Sequence, residues 1–167
     1  MSVGALTQGV YLRELVASYQ PFGNGGKYFA PTSYTYVLDP SGETILQHSY
    51  TPIQSISEES AYVMNKLMQQ VIEGNNVPVV GKTGTSQEWR DNLFIGCTPD
   101  YVSGVWYGYD DNRTVKSGTY YNTAQLWKNI FGDIADAGER TEFPECETIK
   151  ELYYCSNTGL IASGSCP

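Results

Sequence analysis

Between Val77 and Ser86 the chain reads VPVVGKTGTS, and no other ten residues restrict the fold as tightly. Pro78, Val79 and Val80 favour extended backbone, and the two β-branched side chains suit a pleated surface buried on at least one face. Side chains alternate along a strand, so Lys82 and Gly84 face one way while Thr83 and Thr85 face the other. The glycine leaves open backbone between two hydroxyls, and the ammonium adds positive potential at the far end of the strand. This combination suits an extended ligand with a carboxylate: backbone pairs with backbone, hydroxyls donate to the carboxylate, and the lysine attracts it.

Gly81-Lys82-Thr83 also spells the end of a phosphate-binding loop, but the context rejects that reading. Such a loop needs a glycine five positions before Gly81, where this chain has Asn76. A helix would also have to begin at the lysine, yet Gly84 follows and Thr85 to Asn92 shows no apolar period.

The rest of the chain reads as helix, hairpin, helix, three strands, helix and tail. Val10 to Tyr19 carries apolar residues at helical spacing and stops at PFGNGG. Tyr34 to Leu38 and Thr44 to His48 are extended runs joined by the turn formers Asp39 to Glu43. Ser57 caps a helix with Glu58 and Glu59 in its first turn, a buried stripe of Met64, Leu67, Met68, Val71 and Ile72, and a stop at Gly74. Leu93 to Cys97 and Tyr101 to Tyr109 flank the tight turn Thr98-Pro99-Asp100, which predicts one antiparallel sheet with the lysine strand. Neither face of Tyr101 to Tyr109 is simply polar, so both faces should be covered. Thr123 is the predicted cap of a last helix presenting Leu126, Trp127, Ile130, Phe131 and Ile134 to that sheet.

At 167 residues the chain can bury roughly 70% of the surface its unfolded form exposes, enough for one domain or most of one. A net charge of -8, with only 10 scattered basic residues, excludes a nucleic-acid surface and disfavours an anionic membrane. No stretch reaches the eighteen or so apolar residues that a membrane span needs. The four cysteines, Cys97, Cys146, Cys155 and Cys166, show no paired zinc spacing, so neither a metal nor a cofactor is expected. Cys155 and Cys166 bracket the polar loop SNTGLIASGS, where a disulfide would contribute about 3 kcal/mol and imply an oxidising compartment. Four cysteines allow three pairings, and those of Cys97 and Cys146 stay open. His48, far from Lys82 in sequence, reads as a surface or packing residue, and Trp89, Arg90 and Asp91 read equally as cleft lining or solvated loop.

Taken in order, GALTQGVYLRELVASYQPFGNGG, the hairpin, VVGKTGTS, DNLFIGCTPDYVSGVWYGYDDN and the last helix resemble the C-terminal half of the transpeptidase domain of class A penicillin-binding proteins. The specificity lies in the collinear set from Gly4 to about Ala135, not in KTGT alone. Leu93 departs from the family's usual tryptophan, and the Asn75-Asn76-Val77 link is short. The resemblance implies an α+β fold, an antiparallel sheet covered by helices, with residues 1–137 as the C-terminal portion of that domain and 138–167 as a tail holding the disulfide loop. It implies an extracytoplasmic enzyme, membrane-anchored through upstream sequence, that cross-links peptidoglycan stem peptides by serine acyl transfer and binds β-lactams. It carries proton transfer and carboxylate attraction to Lys82, carboxylate binding to Thr83, Gly84 and Thr85, and one oxyanion donor to the Thr85 N–H.

The same family requires Ser-x-x-Lys for its nucleophile and base, and Ser-x-Asn for proton shuttling. No lysine here has a serine three positions earlier, and no asparagine has one two positions earlier. The expectation is therefore a fragment that is inactive alone, with the edge of Tyr101 to Tyr109 bare and open to self-association. The alternative is a catalytically empty peptide- or protein-interaction module on the same scaffold.

Overall fold

A computed structural model describes residues 9–68, 77–115 and 122–162. The first helical segment divides into α1 (Leu12–Ser18) and α2 (Gln20–Gly23). Pro21 sits in the first turn of α2, where its missing N–H interrupts no helical bond. The chain then reverses at Gly25 and Gly26, both at positive φ. A Cβ on Gly26 would lie 2.2 Å from the Ile56 carbonyl oxygen, so only glycine fits.

Two small antiparallel pairs follow. One is β1 (Lys27–Tyr28) with β4 (Ile53–Gln54), and the other is the predicted hairpin of β2 (Tyr36–Leu38) with β3 (Thr44–Gln47). The Asp39 carboxylate closes the hairpin turn by accepting from the N–H groups of Ser41 and Glu43 and from the Ser41 hydroxyl.

Helix α3 (Glu58–Met68) starts as predicted, with Ser57 Oγ accepting from the Ser60 N–H at 3.2 Å. Its buried stripe is not the one expected: Met68 is buried, but Met64 and Leu67 are exposed, and Ala61 and Asn65 take their places. Val71, Ile72 and Gly74 lie outside the described residues. The reason is close approach to α2, because the small Ala61 fits there and Asn65 donates its amide to the Phe22 carbonyl at 2.9 Å.

The central sheet has the order β5 (Val80–Thr85), β6 (Asp91–Cys97), β7 (Val102–Gly108), antiparallel throughout. Helix α4 (Thr123–Asp136) covers one face. Trp127, 1% exposed, packs there with Val77, Val79, Phe94 and Val105, and its indole N–H donates to Ser103 Oγ at 2.7 Å. Full burial of a side chain such as Phe94 stabilises by roughly 1.5–3 kcal/mol. On the other face α1 lies over Gly104, where a Cβ would come within 2.5 Å of Val16. Met68, Val80 and Cys97 form a second cluster there with Tyr19, Phe22, Val102 and Phe143. Both faces of β7 are thus covered, as its sequence predicts.

Two expectations for α4 are corrected. Asn122, not Thr123, is the cap, accepting from the N–H groups of Ala124 and Gln125. Thr123 is instead buried and donates its hydroxyl to the Leu93 carbonyl, and Ile130 and Ile134 are exposed, the face of α4 turned to the sheet being that of Ala124, Trp127 and Ala135.

After α4 the chain returns across the other face. The Arg140 backbone N–H and Nε donate to the Asp100 carboxylate at 2.7 and 2.6 Å, and Thr148 Oγ1 donates to Glu59 at 3.2 Å. A tight turn then places Tyr154 opposite Ile161, with the Cys155 N–H donating to the Leu160 carbonyl at 2.8 Å. Cys166 lies outside the described residues, and with it the expected bond to Cys155.

Candidate substrate-binding strand

KTGT occupies the outer end of β5, and β5 is a flank of the sheet. Its register sets Lys82 opposite Ile95, Thr83 opposite Phe94, Gly84 opposite Leu93 and Thr85 opposite Asn92. The Ser86 N–H donates to the Asp91 carbonyl at 3.0 Å. Bonded and non-bonded pairs alternate from there, so Lys82 and Gly84 turn their backbone groups to β6, while Gly81, Thr83 and Thr85 present theirs to the opposite flank. No described strand pairs with that flank.

Lys82 marks the same flank. Its Nζ donates to the Thr83 carbonyl oxygen at 2.9 Å, one of the outward-facing acceptors. The lysine and both threonines are exposed, and Gly84 is half-buried against Leu93. The outward N–H groups of Thr83 and Thr85 stand about 6.8 Å apart, the repeat of an antiparallel strand. An extended peptide laid on this flank would meet two donors, two hydroxyls and one cation. With no described strand on this flank and with Lys82, Thr83 and Thr85 exposed, the candidate site is a ledge along β5.

A closed turn ends the ledge. Ser86 Oγ accepts from the Asp91 N–H at 2.8 Å, and Gln87–Trp89 forms one 3₁₀ turn. Glu88 and Trp89 both take positive φ, 59° and 57°, a conformation that costs non-glycine residues of order 1–3 kcal/mol each. The Glu88 carboxylate pairs with the Arg90 guanidinium, and the Trp89 carbonyl accepts from the Val115 N–H at 3.1 Å. Of the three residues read as cleft or loop, Asp91 is structural, since its carboxylate accepts from the Trp106 indole at 2.9 Å. Arg90 is held by Glu88, and Trp89 is exposed beside the end of β5. The Trp106–Asp91 bond was missed in the sequence; Gly108, which gives the indole room to cross, is the signal that could have found it. His48 sits edge-on to Tyr34 and Tyr50, far from Lys82 in the chain. No cluster of three metal-ligating side chains occurs among the described residues.

Residues 10–135 match the sequence profile of the penicillin binding protein transpeptidase domain. The chain belongs to this family. Within it, the chain is similar to penicillin-binding protein 1A of Clostridium tetani, 33% identical over 92% of this chain and 21% of that protein. The transpeptidase-domain fold is also that of penicillin-binding protein 1A from Haemophilus influenzae, with a TM-score of 0.67 at 18% identity over 92% of this chain and 30% of that one. Penicillin-binding protein A from M. tuberculosis, solved as an imipenem acyl-enzyme complex, superposes with a TM-score of 0.54 at 19% identity over 72% of this chain and 30% of its own. The chain spans about a fifth of the length of the curated relatives it matches.

Proposed function

We propose that this chain supplies the substrate-binding strand of a peptidoglycan D,D-transpeptidase, which cross-links stem peptides by acyl transfer through a serine. One observation carries the reading: the unpaired flank of β5 presents the backbone of Thr83 and Thr85, with the Lys82 ammonium folded against it. A stem peptide ending in D-alanyl-D-alanine lies along the flank, its carboxylate taking hydrogen bonds from the Thr83 and Thr85 hydroxyls. Lys82 attracts that carboxylate and promotes proton transfer, and Gly84 leaves room for the backbone. The Thr85 N–H is one oxyanion donor, a group whose loss typically lowers turnover by about 100- to 1000-fold because it meets charge formed only in the transition state. β-Lactams occupy the same ledge, and none of these roles calls for a cofactor.

These 167 residues contain neither Ser-x-x-Lys nor Ser-x-Asn, so the nucleophile and its base come from other sequence. We place the working enzyme outside the cytoplasm, anchored to the cell membrane by sequence other than this; no helix of the described residues is long and apolar enough to cross one. Residues 1–137 form the transpeptidase portion, and 138–167 a tail locked by a Cys155–Cys166 disulfide. The edge of β7 has no charged residue from Tyr101 to Tyr109 to discourage pairing with a second copy, and a clean monomer in sedimentation would remove that mode of association. The missing serine also favours a second reading, an interaction module with no catalysis.

The test is amide NMR with a soluble peptide ending in D-Ala-D-Ala. Shifts centred on Thr83 to Thr85 that Lys82→Ala abolishes are expected; no shift at saturating peptide, or shifts elsewhere, would refute the reading. A mass increase matching a penicilloyl adduct on this chain would overturn the assignment of the nucleophile to other sequence.

A further inference from the structure

A second candidate site lies at the β6–β7 turn. It is six residues along β6 from Asn92, the partner of Thr85, and so roughly 20 Å from the end of the ledge. The cleft there has a volume of about 410 Å3, within the range of small-molecule sites. Its floor is apolar, made by Gly23, Phe29, Val102 and the buried Cys97.

Its rim is a set of donors. Arg140 uses its backbone N–H and Nε on Asp100, which leaves both terminal amino groups of the guanidinium without an acceptor among the described residues. Gln20 accepts the Phe29 N–H through Oε1 at 2.9 Å, and Asn24 accepts the Lys27 N–H through Oδ1 at 3.0 Å. The NH2 group of each amide is therefore the one left to serve the cleft.

The charge balance selects the ligand. Arg140 and Asp100 neutralise one another, so this pair leaves no net charge on the cleft to favour an ionic ligand. A neutral molecule rich in oxygen acceptors suits the donor rim. Tyr50 and Tyr101, 53% and 47% exposed, also line the cleft, and their rings are free to take an apolar ligand face. Beyond Tyr50 lie two further rings in edge-on contact, His48 with its centroid 4.7 Å from that of Tyr50 and then Tyr34 at 6.1 Å from His48.

We infer that this cleft and the aromatic row beside it bind a neutral oligosaccharide. Its hydroxyl and amide oxygens take the N–H donors of Arg140, Gln20 and Asn24, and the C–H faces of its rings lie on Tyr50 and Tyr101. The row toward Tyr34 suits a chain of sugars rather than a single one. This site stands on its own geometry and does not depend on the role given to Lys82.

Titration calorimetry of the full chain with the tetrasaccharide of β-1,4-linked N-acetylglucosamine tests it. Saturable binding is expected, weakened at least tenfold by Tyr101→Ala and by Tyr50→Ala, and unchanged by Lys82→Ala. Both tyrosines are exposed, and unchanged melting temperatures verify that the variants fold. The inference is overturned by absence of saturable binding at about 10 mM sugar, weaker than any useful recognition. Binding that survives both tyrosine substitutions, or tighter binding of a capped tetrapeptide in the same cleft, also overturns it.

Discussion

The indole N–H of Trp106 donates to the carboxylate of Asp91 at 2.9 Å, although β-pairing sets Asp91 opposite Gly108 and Trp106 opposite Leu93. The ring reaches its acceptor diagonally, across the position where Gly108 has no side chain. A Cβ there would lie 2.7 Å from Trp106 Cζ2 and 2.9 Å from the Arg90 carbonyl oxygen. Asp91 in turn bonds Ser86 through its N–H and C=O, so the bond fixes the turn that ends KTGT.

Trp106→Phe keeps a ring and loses this donor. A half-exposed hydrogen bond to a carboxylate is worth about 1 kcal/mol, which lowers the melting temperature by about 2–4 °C in a domain of this size. Calorimetry of Trp106→Phe, Asp91→Asn and the double variant should show less than additive losses. Additive losses would mean that the two side chains act independently.

Glycine to alanine should have opposite signs at two positions. In Gly96→Ala the new Cβ would fall 2.5 Å from the Trp127 indole, and overpacking of a rigid core costs about 1–3 kcal/mol. In Gly132→Ala, inside α4, the nearest atom is Lys128 Cγ at 3.9 Å, and helix propensity stabilises by about 0.5–1 kcal/mol. Urea midpoints moving the same way in both would contradict this packing.

Hydrogen bonds from the Arg140 side chain and backbone hold the Asp100 carboxyl below its ordinary value of 3.8. A carboxyl lowered on folding stabilises the folded state above its unfolded value, and that gain is lost as pH falls through the folded one. Asp100→Asn should therefore be less stable than the parent by a constant amount from pH 5 to 7, with the gap closing below about pH 4. A gap that persists unchanged at pH 2 would show that the charge of Asp100 does not matter.

Burial pushes the Cys97 thiol up to about 12, from an ordinary 9.0. The thiolate is the nucleophile, so iodoacetamide at pH 8 should leave Cys97 unmodified in the folded chain and alkylate it in urea. Because the raised value favours the protonated folded form, stability from this group is complete below pH 9 and declines as pH rises toward 12. Peptide mapping that finds Cys97 alkylated under native conditions would contradict its burial.

Much of the fold was legible because local signals and burial agree there. The run Val79–Val80 with KTGT, the Asp39 to Glu43 turn and the Ser57 cap each formed where their chemistry placed them. The stripe of α3 was misread because hydrophobicity alone favours Met64 and Leu67, whereas close packing on α2 selects the small Ala61 and the hydrogen-bonding Asn65. Asn122 was passed over as a cap because Thr123 has the same preference, and only the position of Leu93 decides between them. The contact of Arg140 with Asp100 spans forty residues, a separation no local pattern reports.

The two flanks of the sheet differ by one charge. β7 presents an uncharged row of amides, while β5 carries the Lys82 ammonium against the outward-facing carbonyl of Thr83. A solvated cation on a bare strand is also how proteins keep such strands from templating amyloid-like stacking. Residue 82 therefore doubles as a gatekeeper, and chains in which it is neutralised should lose colloidal stability on storage even where no ligand is present.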